Sequence, residues 1–360
     1  MTSNHKKLKA VELFAGIGGF RIASDKLGFE TIWANDFDSK ACEVYLDNFG
    51  KDSIVNGDIN DLIDEIPEHD ILTAGFPCQP FSSAGKKNGI QDPRGTLFQS
   101  IAEVLQKRKP KYFVLENVKR LIEMDKGHHF ATILKTITDV GYQIEWRVLN
   151  AAHYGLAQNR YRIFITGIKT DNPLEPKLFE DVPQTSMFAK EDTFDWQNIE
   201  EPSHKFGNWG VAFNGKYFTK NIEEPRVKKK SLVEVMEKNV NKKYYYNGST
   251  EERINNSELV DRLINDVHIL YNQKGGARMG YTIFGTKGRA PTLTASTSRH
   301  YERYKVEDGY RRLTPNEYAR LQGFPDNHAK ALSDYHQYKY YGNAVPPQMV
   351  QYCLSKLLES

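Results

Sequence analysis

A chain of 360 residues with 39% hydrophobic and 26% charged residues has an ordinary soluble composition, with room for one large domain and a smaller one. No apolar run approaches the roughly 20 residues of a membrane span, the start Met1–Lys9 lacks a signal peptide's apolar stretch, and a net charge of +3 does not by itself announce a nucleic-acid partner. Cys42, Cys78 and Cys353 are the only cysteines; their number and wide spacing argue against a disulfide framework or a zinc cluster and for a reducing compartment, so a cytoplasmic enzyme is expected.

Leu8–Phe14 reads as a strand, followed by the turn Ala15-Gly16-Ile17-Gly18-Gly19 and a helix over Phe20–Lys26. Strand, glycine-rich turn and helix open a doubly wound, mostly parallel α/β sheet, in which a ligand approaches the backbone amides of the turn. A nicotinamide oxidoreductase is one enzyme of that architecture, but the dinucleotide spacing G-x-G-x-x-G is not met. The second strand, Thr31–Ala34, ends at Asn35-Asp36-Phe37. Asp36 suits a ribose diol, or else caps the helix Ser39–Phe49, and Phe37 suits stacking on an adenine. A third strand ends at Asp58-Ile59, a second carboxylate with an apolar neighbour.

Asp70–Ala74 reads as a short buried strand leading into Gly75-Phe76-Pro77-Cys78-Gln79-Pro80. A thiol there, between two rigid prolines, is held where it can be presented to a substrate. Ser83–Gly95, with basic residues between glycine hinges, describes either a loop that closes over an anionic ligand or a plain surface loop. After a helix over Thr96–Lys107, the strand Tyr112–Leu115 ends in Glu116-Asn117-Val118, placing a carboxylate on the same sheet edge as Cys78. Arg160 and Arg162, two apart, are expected on one face of a strand, gripping a phosphate or base carbonyl or serving as structural ion-pair partners.

From Lys169 to about Tyr304 the helix–strand alternation is lost, and a second, smaller, irregular strand-rich domain is expected, with Pro291–Ala295 as one strand. Basic residues gather there, at 226–230, at Lys242-Lys243 and from Arg278 to Arg303, which favours a phosphate-facing surface. Thr314, Pro315 and Glu317 then spell a capping box, Gly323 and Pro325 end that helix, and a last helix carries Val350, Leu354 and Leu357 on one face. The domains are expected at 1–190 with 330–360 and at 191–329.

Taken together and in order, Phe14–Gly19, Gly75–Pro80, Glu116–Val118, Gln158–Arg162, Arg311–Pro325 and Gly342–Val345 resemble the cytosine-5 DNA methyltransferases of bacterial restriction–modification systems. The resemblance implies a Rossmann-like fold that uses S-adenosylmethionine. The cofactor contacts it implies are Phe14, Ala15, Gly16, Ile17, Gly18, Gly19, Asp36, Phe37, Asp58, Ile59, Pro77, Leu97, Asn343 and Val345. Cys78 becomes the nucleophile for carbon 6 of a flipped-out cytosine, with Glu116, Arg160 and Arg162 beside it as catalytic residues. Gln79, Ser82, Lys86, Lys87 and Arg94 would meet the DNA near the loop, and Arg278, Lys287, Arg289, Thr292 and Arg299 would meet it from the recognition domain. Double-stranded DNA is the expected partner of a monomer, with a cognate restriction endonuclease acting on the same sequence. An RNA cytosine-5 methyltransferase of the same fold and an inactive DNA-binding relative are the alternatives.

Overall fold

The computed structural model describes residues 7–77, 97–178, 194–195, 205–223, 230–272, 281–295 and 302–359. It divides into two compact units, the first comprising 1–149, 162–224 and 349–360, the second 150–161 and 225–348.

The first unit is built on one sheet. Its strands are β1 (Lys9–Leu13), β2 (Glu30–Asp36), β3 (Val55–Asn56), β4 (Ile71–Gly75), β5 (Tyr112–Val118), β6 (Tyr142–Asn150), β7 (Tyr161–Lys169), β8 (Phe194–Asp195), β9 (Trp209–Phe213) and β10 (Lys216–Lys220). They lie in the order β3-β2-β1-β4-β5-β7-β6-β9-β10-β8. Pairing is parallel from β3 through β5, and β7 then runs antiparallel to β5. The helices are α1 (Gly19–Lys26), α2 (Ser39–Phe49), α3 (Ile59–Leu62), α4 (Leu97–Arg108) and α5 (His128–Asp139).

The apolar runs in β4 and β5 are buried end to end, as strands covered on both faces require. Phe98, Ile101, Val104 and Leu105 of α4 and Phe130, Ile133, Leu134 and Ile137 of α5 belong to the same core. α2 is capped by Asp38, whose carboxylate accepts the Lys40 amide at 3.0 Å, rather than by Asp36.

The division between the units falls elsewhere than at residues 190 and 330. Residues 209–220 form the hairpin β9–β10, which extends the first sheet. Glu145 of β6 explains part of this attachment: its carboxylate accepts Trp209 Nε1 at 2.8 Å and the amides of Lys177 and Leu178 at 2.6 and 2.8 Å. Conversely, 150–161 and 330–348 belong to the second unit.

That second unit holds a five-stranded sheet, β11 (Glu258–Ile264), β12 (Val267–Asn272), β13 (Thr282–Gly288), β14 (Arg303–Val306) and β15 (Gly309–Arg311), in sequential order. Its helices are α6 (Ser249–Asn255), α7 (Pro315–Gln322) and α8 (Asp334–Asn343). The capping box is formed: Glu317 N donates to Thr314 Oγ1 at 3.2 Å, and Thr314 N to Glu317 Oε2 at 2.7 Å. Pro291–Ala295 is not a strand. Its polar groups turn to the 150–161 segment instead, Leu293 N donating to Gln158 Oε1 at 2.9 Å and Thr292 Oγ1 to Asn159 O. A last helix, α9 (Pro347–Leu358), belongs to the first unit from residue 349 onward and buries Val350, Leu354 and Leu357. Among the described residues no helix is long and apolar enough to cross a membrane.

Candidate active site

The glycine turn leaves β1 at Phe14, whose φ of 54° already bends the chain into the left-handed region. Gly16 follows at φ 55°, and a Cβ built on it meets nothing within 4 Å, so the turn has open space above its backbone. Asp36, at the end of the neighbouring strand, accepts the Gly16 amide on Oδ2 at 2.7 Å and the Asp38 amide on Oδ1 at 2.8 Å. Burial pushes the Asp36 pKa up, against the pull of those amides. Each carboxylate oxygen keeps a further lone pair for a diol. Phe37 beside it is 76% exposed, an aromatic face without cover on a strand end. Asp58 caps α3 through the Asn60 amide at 2.9 Å, and Ile59 is buried beneath it. Ala15, Ile17 and Gly19 are buried, Gly18 packs against the Phe49 ring, and Phe14 and Leu97 are half-buried. An open glycine turn, a tethered carboxylate and an exposed ring fit a nucleoside carrying an amino-acid tail.

Two strands away, Gly75 of β4 pairs with Glu116 of β5. Glu116 is 7% exposed, and Arg162 of β7 reaches it, Nε donating to Oε1 at 2.9 Å. Burial pulls the Arg162 pKa down while Glu116 holds it up. A carboxylate and a guanidinium, joined and largely withdrawn from water, present paired donor and acceptor functions at one sheet edge. Sequence reasoning assigned no role to Asn117. Its Nδ2 donates to Phe76 O at 2.9 Å and its Oδ1 accepts the Val118 amide at 2.8 Å, so it pins the chain two residues before Cys78. The available signal was an amide beside a strand-end acid in an apolar strand.

Arg160 does not share this face. It precedes β7, is fully buried, and donates to the carbonyls of Leu293, Gly342 and Ala344 at 2.9, 3.0 and 3.0 Å. A guanidinium spent on three backbone carbonyls has a structural role within the second unit, in place of the expected grip on a phosphate. Arg289, 4% exposed, is bound to Asp266, and the half-buried Thr292 donates its hydroxyl to Asn159 O. Lys287 is exposed, as are Pro77 and Asn343, and Val345 is buried in the second unit. Cys78, Gln79, Ser82, Lys86, Lys87, Arg94, Arg278 and Arg299 lie outside the described residues.

A sheet that is parallel from β3 through β5, with an open glycine turn beside a tethered carboxylate at one strand end and an acid–guanidinium pair at another, has the make-up of a nucleoside-binding α/β enzyme. The family model for C-5 cytosine-specific DNA methylases matches residues 8–359, and the chain belongs to that family. It is 33% identical to the type II methyltransferase M.HhaI of Haemophilus parahaemolyticus over 349 residues, 96% of this chain and 92% of the relative. It is 34% identical to M.HpaII of Haemophilus parainfluenzae over 98% of this chain and 90% of the relative. Among solved structures, a DNMT2 variant of Spodoptera frugiperda shares the fold with a TM-score of 0.66 at 18% identity, covering 98% of this chain and all of the other. The chain is thus a DNA cytosine-5 methyltransferase that takes its methyl group from S-adenosylmethionine and acts on double-stranded DNA.

Proposed function

We propose that Cys78 is the nucleophile of this transfer and that Glu116 and Arg162 are the groups that hold the target base. The observation that carries the reading is the Glu116–Arg162 pair, set beside Gly75 at the end of β4, three residues before Cys78 in the sequence. Carbon 5 of cytosine is a poor nucleophile, and addition of a thiolate to carbon 6 remedies this. A free thiol with a pKa of about 8.5 is only a few per cent ionised at neutral pH, so the site must favour the thiolate or take the proton during attack.

In the proposed sequence, Cys78 Sγ forms a bond to carbon 6 and the carbon 5–carbon 6 π pair moves to carbon 5. Glu116, sharing a proton with ring nitrogen 3, stabilises the electron-rich ring, and Arg162 holds the base carbonyl while orienting Glu116. The bound cofactor supplies an electrophilic methyl on a sulfonium. Once carbon 5 carries the methyl, its proton leaves to a base, the electron pair re-forms the double bond, and Cys78 departs as thiolate. The base must first leave the stack, at a cost of a few kcal/mol.

For the cofactor we assign the Phe14–Gly19 turn to the methionine part, Asp36 to the ribose, and Phe37, Asp58 and Ile59 to the adenine. Pro77, Leu97, Asn343 and Val345 are further contacts. Residues 200–305 outside the β9–β10 hairpin carry recognition, with Lys287, Arg278 and Arg299 as candidates and Gln79, Ser82, Lys86, Lys87 and Arg94 nearer the base. A cytoplasmic monomer that protects DNA from a cognate endonuclease completes the reading.

Incubation of the protein with plasmid DNA and S-adenosylmethionine, followed by sequencing of 5-methylcytosine, tests it. Methylation at one recurrent sequence is expected, abolished in Cys78→Ala with cofactor affinity retained. DNA carrying fluorine at carbon 5 should trap a covalent adduct with the native enzyme. Methylation by Cys78→Ala, or no adduct with the native enzyme, would remove Cys78 from the mechanism.

A further inference from the structure

Arg160 lies two residues before a base-holding guanidinium, yet its own guanidinium is turned wholly inward. Nη2 donates to both Gly342 O and Ala344 O, each at 3.0 Å, so the two acceptors bracket Asn343, the last residue of α8. Carbonyls at the end of a helix lack intrahelical donors and carry the negative end of the helix dipole. A buried cation there supplies both the missing donors and the compensating charge. Nη1 donates to Leu293 O at 2.9 Å, and Gln158 holds Leu293 N from the other side.

Gly342 is seated against the same stretch. A Cβ on it would lie 2.4 Å from the carbonyl carbon and oxygen of Thr294 and 2.6 Å from Ala295 N. The turn 342–344 is therefore gripped twice, by the Arg160 fork and by backbone against backbone, while the Asn343 side chain stays exposed.

We infer that Arg160 is a positioning residue for the cofactor, fixing the Gly342–Val345 turn so that Asn343 and Val345 are presented in one conformation. This rests on the reading that Asn343 and Val345 contact S-adenosylmethionine. A lysine in place of Arg160 keeps the charge but loses the planar fork that binds three carbonyls at once.

Titration calorimetry of the full chain with S-adenosylhomocysteine, paired with initial-rate kinetics, tests the inference. Arg160→Lys should raise the Kd for S-adenosylhomocysteine and the KM for cofactor by roughly tenfold or more, the loss expected of a charge-assisted bond. Its kcat at saturating cofactor and its KM for DNA should stay near native. A native Kd together with a collapsed kcat would show that Arg160 serves the reaction itself and overturn the inference. Asn343→Ala, an exposed site that leaves the fork intact, separates the two layers. If Asn343→Ala weakens binding and Arg160→Lys does not, the inference fails while the reading beneath it stands. If Asn343→Ala binds as the native chain does, the reading itself falls. Circular dichroism establishes that Arg160→Lys is folded, with Arg160→Gln in reserve; failure of both to fold would make Arg160 a general folding determinant and overturn the cofactor-specific role.

Discussion

Arg162 Nε and Glu116 Oε1 stand 2.9 Å apart across adjacent antiparallel strands, with 13% and 10% of the two side chains exposed. The register pairs Arg162 with Val118, so Glu116 is the diagonal neighbour on the same face. Removing one member of so dry a pair takes from the other a charged partner that water does not readily replace. Arg162→Ala should lower the unfolding free energy by about 3 kcal/mol, the lower end for a broken buried pair because some exposure remains. It should also reduce kcat by a hundredfold or more, on the order seen when a charge-stabilising group is lost. The double variant Arg162→Met with Glu116→Gln should regain most of the stability in urea unfolding and none of the activity. Recovery of activity would show the pair to be structural.

Glu12 offers a pH signature in the first unit. It lies in β1, buried, with Tyr45 Oη donating to Oε2 at 2.9 Å. Burial pushes its pKa up to about 8, opposed by the Tyr45 hydrogen bond and the Arg21 guanidinium and assisted by Asp25. The folded chain therefore keeps a proton that the unfolded chain releases at its ordinary value near 4.5. Stability that this proton supports is present at low pH and is lost as pH rises through that interval towards 8. Glu12→Gln cannot ionise, so its advantage over the native chain should grow across that window by a few kcal/mol and then level off. Urea unfolding at stepped pH checks this, and a difference independent of pH would mean that Glu12 titrates normally.

The parts of this molecule legible in the sequence are those where one short stretch carries its own reason. Apolar β4 and β5, the glycine turn and the Thr314–Glu317 box are local patterns, and each forms where it was read. Asp36 and Asp38 show the limit of such reading: two carboxylates two apart compete for one cap, and only geometry assigns it to Asp38. Arg160 and Arg162 show another limit. Period-two alternation places them on one face only if both lie in the strand, and β7 begins at Tyr161. The hairpin 209–220 was invisible because its partner strand is β6, more than sixty residues earlier, and no local pattern encodes that pairing.

Phe113 and Gly167 are direct partners in the β5–β7 ladder, and the ring lies over the glycine. A Cβ on Gly167 would come within 1.9 Å of Phe113 Cε1. Gly167→Ala should therefore destabilise the chain by about 1–3 kcal/mol through overpacking. Phe113→Leu alone should also destabilise it, by leaving space in a fully buried site. Combined, the two should cost less than their sum, since the smaller side chain admits the added methyl. Strict additivity in a thermal-unfolding cycle would show that the ring moves aside freely.

Glu317 and Arg311 form the most buried ion pair among the described residues, bidentate at 2.7 Å for both contacts, with 0% and 2% of the side chains exposed. Glu317 does more than neutralise Arg311, because its oxygens also accept the amides of Thr314 at 2.7 Å and Glu237 at 2.8 Å. Glu317→Gln keeps the shape but turns an amide group towards donors, and should cost about 3–5 kcal/mol, as breaking a buried pair does. An isolated pair can be replaced by apolar residues at little cost, so Arg311→Met with Glu317→Leu would then restore stability. Here that double variant should stay below native by about 1–3 kcal/mol per stranded amide, because Thr314 N and Glu237 N lose their acceptor. Equal stability of the double variant and the native chain in urea unfolding would mean that both amides find other partners, and that Glu317 matters to this unit only through its charge.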